Sequence, residues 1–151
     1  LHTNSAVGTI PRLLDIGVLP DVMAGNIIGI VAQRLVRRLC EHCKSPYHAE
    51  SHELQLIGMA ADGSHPVLFR ATGCERCDFQ GYRGRIAIME LLRIDEGLDE
   101  LIARRATTHE IRSRANAQGF VTLADDGIRR VLNGTTSLEE LGRVVDLTSR
   151  M

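Results

Sequence analysis

The chain has no tryptophan, two tyrosines and three phenylalanines among 151 residues. Surfaces that stack bases need exposed rings, so this scarcity argues against a platform for RNA or single-stranded DNA. Neither sign of charge is in excess: 18 Lys and Arg face 19 Asp and Glu, a formal −1. No global field draws in nucleic acid or an anionic membrane. No apolar run approaches the length of a membrane span, and no signal-peptide pattern is visible. The phosphate-cradling pattern G-x-x-x-x-G-K-[ST] is also missing, and with it the lysine that clamps a nucleotide's phosphates.

What the chain does have is four cysteines in two pairs, Cys40-Glu41-His42-Cys43 and Cys74-Glu75-Arg76-Cys77, thirty residues apart. A C-x-x-C turn holds two thiolates together and leaves intervening amides free to bond the sulfurs. Two such turns make a closed S4 shell that suits structural zinc, with no open position for chemistry. The same residues also suit two disulfides, a redox pair or an iron–sulfur centre. Paired C-x-x-C units and the lack of secretory features favour the metal, and zinc or free thiols imply a reducing compartment, the cytosol by default. His42 and His48 are near enough in sequence to compete as ligands, but four thiolates leave them as turn histidines. Lys44 and Arg76 are expected beside a doubly negative zinc–thiolate centre, where positive charge is welcome.

The expected fold is mixed α/β. Residues 5–16 have helical spacing, with Asn4 or Ser5 as N-cap and Gly17 past the end. Pro20 opens a second helix with Asp21 in its first turn. Residues 29–39 are ambiguous and are read as a strand delivering Cys40 to the metal. Residues 40–77 form a small zinc-stapled subdomain with short strands, including Pro66–Arg70, and a helix over Ser51–Met59. Residues 85–92 return as a β-type run. Residues 78–151 carry that strand and then a helical bundle, with capping boxes at Thr107–Glu110 and at Thr136–Glu139. Those caps and stripes predict that the terminal helices hold together without the metal. The chain opens at Leu1 with no initiator methionine and runs straight into helical spacing, which predicts a segment of something longer.

Several segments together resemble a known family. His2-Thr3-Asn4-Ser5-Ala6 with Arg12-Leu13-Leu14-Asp15-Ile16-Gly17-Val18 looks like the histidine box of the secretion and pilus assembly ATPases. Gln33–Cys40 resembles the stretch before that family's tetracysteine motif. Gly73–Cys77 and Gly81-Tyr82-Arg83-Gly84-Arg85 resemble what closes it, and Asp126–Glu140 is similar to the C-terminal signature. Gln80 and Ala87 stand where the family commonly has Thr and Gly. The likeness covers nearly the whole chain, in order.

The resemblance implies the C-terminal part of a hexameric motor powering type II secretion or type IV pilus assembly. Residues 1–39 would then be the tail of a RecA-like nucleotide-binding domain. His2 would reach the terminal phosphate, with Thr3 and Asn4 in the same motif. ATP and Mg2+ would bind only in the full-length parent, whose phosphate loop and acidic motifs lie upstream, so the fragment alone would be inactive. Implied partners are other ring subunits and an inner-membrane platform protein, without nucleic acid, in a cytoplasmic protein peripheral to the membrane through those partners. A different class, a stand-alone zinc-knuckle module binding protein or nucleic acid, has the basic cluster Arg34, Arg37, Arg38 and Lys44 in its favour. A thiol oxidoreductase would need a thioredoxin-like pattern that the chain lacks.

Overall fold

The computed structural model describes residues 3–59 and 65–148. They form a mixed α/β protein. In chain order the elements are α1 (Ala6–Asp15), α2 (Pro20–Met23), β1 (Gly29–Leu39), β2 (Ser45–His48), α3 (Ser51–Leu56), β3 (Val67–Arg70), β4 (Tyr82–Arg93), α4 (Glu96–Ala103), α5 (Thr108–Ala117), α6 (Leu123–Leu132) and α7 (Leu138–Val144). Strand β1 pairs with β4, and β2 pairs with β3. The chain divides into two compact units, Leu1–Gln33 with Met89–Leu123, and Arg34–Ile88 with Ala124–Met151.

The first unit is built on α1, whose N-cap Ser5 accepts from the Gly8 amide at 3.0 Å. Gly17 follows the helix at φ +92°, a left-handed position that suits glycine. Pro20 supplies the first turn of α2, where a missing N–H costs nothing. The apolar face of α1 (Ala6, Val7, Ile10) packs with Met23, Leu92, Leu98, Ile102, Ile111 and Ala115 into one core. Helix α4 starts at Asp95, which accepts from the Leu98 amide and holds Arg114. Both contacts keep its carboxyl below the usual range, the Leu98 amide most of all. Helix α5 has the expected reciprocal box between Thr107 and Glu110.

In the second unit β2 and β3 run antiparallel, with Ser45 opposite Arg70 and His48 opposite Val67. Strand β2 is not predicted from sequence. It is four residues long and begins Ser-Pro, and proline belongs only at sheet edges. Here the terminal helices meet the cysteine-bearing segment directly. Helix α7 packs on β3, the Leu39 amide bonds the Thr135 carbonyl at 2.9 Å, and the Lys44 ammonium bonds the Gly134 carbonyl at 3.1 Å. Gly134 lies so close to Phe69 that a Cβ there would come within 2.8 Å of the ring.

The box expected at Thr136–Glu139 is displaced by one residue. Ser137 is the N-cap of α7 and accepts from the Glu140 amide at 3.1 Å, while the Thr136 hydroxyl donates to the Arg37 carbonyl at 2.7 Å. Glu140 does not turn back to its own cap. It is 1% exposed and accepts from the guanidinium groups of Arg37 (2.9 and 2.7 Å) and Arg143 (3.0 and 2.7 Å) and from the Arg37 amide (3.0 Å). Competition from two arginines explains the shift, because charge-assisted bonds outweigh a neutral cap contact. Arg37 also lies over the Tyr82 ring, 4.1 Å from its centroid, and the Tyr82 hydroxyl meets Ser137 Oγ at 2.6 Å.

Candidate metal centre

The two C-x-x-C segments fold into similar turns. The Cys40 carbonyl accepts from the amides of Cys43 and Lys44, and the Cys74 carbonyl accepts from those of Cys77 and Phe79. The ambiguous stretch 29–39 is the strand β1 that delivers Cys40, and the Cys40 amide is fixed to the Gly81 carbonyl at 2.9 Å. The second turn closes through two consecutive left-handed residues, Asp78 (φ 51°) and Phe79 (φ 58°). Non-glycine residues adopt that conformation only when their surroundings enforce it.

All four sulfurs lie within 4.8 Å of one another. Cys40–Cys74 measures 3.9 Å, and Cys43–Cys77 and Cys74–Cys77 each measure 3.8 Å. A tetrahedral ion with Zn–S near ~2.3 Å requires sulfur separations of ~3.8 Å. A disulfide requires about 2.05 Å, and all four cysteines are free. The cluster is therefore compatible with a zinc site. Among the described residues the ligand-competent group contains these four and no histidine. His42 is exposed and faces the Arg76 guanidinium at 2.8 Å, and the His48 ring sits 3.3 Å from the His65 carbonyl.

Backbone amides prepare the sulfurs for charge. Gly73 donates to Cys43 at 3.3 Å, and Cys74 and Gly81 donate to Cys77, each at 3.2 Å. Burial drives the Cys43 thiol up to about 11, against its single amide. Burial also acts to raise Cys77, but its two amides and the neighbouring thiols outweigh that and bring it down to about 7. Metal binding needs every ligand deprotonated, so these amides favour the bound form.

Two glycines make the cage possible. Gly73 has φ +112°, and a Cβ there would come within 2.7 Å of the Phe79 carbonyl oxygen. Gly73→Ala is expected to push the Gly73 amide off Cys43 and weaken metal binding roughly tenfold or more, in line with other outer-shell losses. Competition against a chromogenic chelator measures this, and an unchanged affinity would show that the backbone yields freely. Gly81 is similarly confined, its Cβ position 2.6 Å from that of Ala71 at φ +76°.

Two of the four residues in the basic cluster that favours a nucleic-acid module make internal contacts. Arg37 is paired with Glu140. Lys44 is paired with Glu41 at 2.7 Å and lies over the Phe69 ring rather than being held for a ligand. His2, the other predicted site residue, lies outside the described residues. Thr3 is within them, its hydroxyl 2.8 Å from that of Thr9. Sequence reasoning missed Glu140 and Glu90, the two deeply buried acids among the described residues. For Glu90 the signal was its place between Ile88 and Leu92 on the inward face of β4, where a carboxyl demands a partner.

Fold and site together define a mixed α/β protein with a closed tetracysteine centre compatible with structural metal. Residues 1–143 match the sequence model of the type II/IV secretion system proteins, and the chain belongs to that family. It is 44% identical over 144 residues to type II secretion system protein E of Pseudomonas aeruginosa, matching 95% of this chain and 28% of that one. It is 43% identical over 145 residues to the type II secretion system ATPase E of Vibrio cholerae, again 95% of this chain and 28% of the relative. A type IV pilus assembly ATPase of Thermus thermophilus is 40% identical over 148 residues, 97% of this chain and 17% of its own. The chain thus spans a little over a quarter of the secretion proteins it matches. Among the described residues no helix is long and apolar enough to cross a membrane.

Proposed function

We propose that this chain is the C-terminal part of an ATP-hydrolysing motor for type II secretion or type IV pilus assembly, working as a hexameric ring. The observation that carries this reading is the match to the family over residues 1–143, together with relatives named as secretion and pilus ATPases. In this reading residues 1–39 are the tail of a RecA-like domain, 40–77 a zinc subdomain and 78–151 the strand return and terminal helices. Cys40, Cys43, Cys74 and Cys77 hold one structural Zn2+. His2 meets the terminal phosphate of ATP, which binds with Mg2+ in the full-length polypeptide. The partners are neighbouring ring subunits and an inner-membrane platform protein, which keep a cytoplasmic protein at the membrane without nucleic acid.

Positioning and electrostatic stabilisation do nearly all the work of phosphoryl transfer. This chain brings one phosphate-facing histidine and no phosphate loop, so alone it is expected to release phosphate from ATP no faster than buffer. In the full-length polypeptide, His2→Ala is expected to lower kcat about a hundred- to a thousandfold, as loss of one transition-state donor does. KM should change little, because that contact matters mainly at the reacting phosphate. Turnover by the purified 151-residue chain would refute the first expectation, and an unchanged kcat in the variant the second.

A further inference from the structure

We propose that Glu90 is a positioning residue for the Thr3–Ser5 segment that carries the histidine box. Glu90 is 3% exposed on β4 between Ile88 and Leu92, both almost fully buried. A carboxylate buried among aliphatic neighbours is costly unless both oxygens are bonded. No cation pairs with it among the described residues. One oxygen accepts the amide of Ala6, the first residue of α1, and the other accepts the amide of Leu123 at 2.8 Å, the first residue of α6.

Helix α1 already has its own cap, since Ser5 Oγ takes the Gly8 amide. The Ala6 amide is one of the donors that a helix start leaves unpartnered. A strand side chain distant in sequence satisfies it, and a negative group there also suits the helix dipole. Among the contacts that fix the backbone just after His2 are Thr3 on Thr9, Ser5 on Gly8, and Ala6 on Glu90. The first two lie within one short stretch of chain and would move with α1 as a body. Of these three, the Glu90 bond is the one that reaches a distant strand, so it ties the start of α1 to β4.

The catalytic consequence rests on the assignment of His2 given under Proposed function. A misplacement of about 1 Å in a phosphate-facing group costs on the order of a hundredfold in rate. In the full-length polypeptide, Glu90→Gln keeps one acceptor but turns a donor toward the second amide. It is expected to lower kcat roughly ten- to a hundredfold while KM stays within about twofold. In a His2→Ala background the same change should cost less than about twofold, because the residue it positions is gone. Full additivity of the two substitutions would overturn the positioning role while leaving His2 as proposed. A silent His2→Ala would overturn the reading of His2 itself. Amide exchange on the unaltered chain provides a test that does not depend on the variant folding. The Ala6 amide is expected to be protected more than about a hundredfold over an unstructured peptide, and weaker protection would remove the contact on which the inference stands.

Discussion

Removing metal from this chain is expected to unfold the unit formed by Arg34–Ile88 and Ala124–Met151, while α1, α4 and α5 keep their helical signal. Structural zinc contributes on the order of 10–16 kcal/mol apparent to small metal-bound folds, as much as the whole net stability of a typical domain. The buried aliphatic side chains of this unit, Leu54, Leu68 and Leu141 among them, sit on elements between or next to the cysteine turns, and two of its buried residues are cysteines of the cluster itself. From their caps and apolar stripes alone, the terminal helices would be expected to survive metal loss. The packing of α7 on β3 and the bonds from Lys44 and Leu39 to the Gly134–Thr135 turn tie them to the cage instead. Elemental analysis should find one zinc per reduced chain. Chelation, or Cys40→Ser, should then collapse the amide signals of α7 together with those of β2 and β3. Metal-free protein with an intact α7 would refute this coupling.

Glu140→Gln is expected to cost on the order of 3 kcal/mol and to lower the melting temperature by about 6–12 °C. Burial alone would raise the pKa of this carboxyl, but the bonds from Arg143 and Arg37 outweigh it and bring it from 4.5 down to about 2. Such a depressed group adds stability that is fully present above its unfolded pKa and is lost as pH falls through the folded one. The window is therefore about pH 4.5 down to about pH 2. Glutamine keeps the shape but opposes an amide donor to two guanidinium groups. The arginines are partly exposed, with side chains 42% and 61% accessible, and can turn to water, which keeps the cost below that of stranding a buried charge. Stability curves against pH should show a shallower acid limb in the variant. Some slope will persist, since Asp95 and Glu110 are also depressed by their partners. An unchanged acid limb would show that Glu140 titrates normally.

The elements and the cage were legible in the sequence because each has a local cause. Ser5, Pro20, Thr107 and the glycine after α1 mark helix ends through contacts within a turn, and the cysteine pairs announce a cluster through spacing alone. Strand β2 was not legible: four residues beginning Ser-Pro carry no period, and only pairing with β3 makes them a strand. Nor was the start of α7, since Thr136 and Ser137 are equal candidates until Arg37, a hundred residues earlier, claims Glu140. Glu90 failed for the same reason, its two partners lying 84 and 33 residues away in the chain. What local spacing sets can be read directly, whereas charges buried by distant contacts are visible only as anomalies.

The four cysteines have a further consequence for how the second unit assembles. Each C-x-x-C turn is closed by its own backbone bonds, so each pair of sulfurs is arranged by contacts local in sequence. The pairing of Ser45 with Arg70 and of His48 with Val67 joins β2 and β3 in a short antiparallel ladder whose Ser45–Arg70 end lies next to the cysteines. An ion captured by one turn and then shared with the other closes a loop of more than thirty residues. Cross-linking a chain at that separation removes conformational freedom worth on the order of 3–4 kcal/mol from the unfolded ensemble. After that closure the ladder can zip from the pinned end outward, with each strand pair bringing the next into reach. A metal ion bound by the four cysteines would then act as a nucleus for folding as well as a staple of the finished structure.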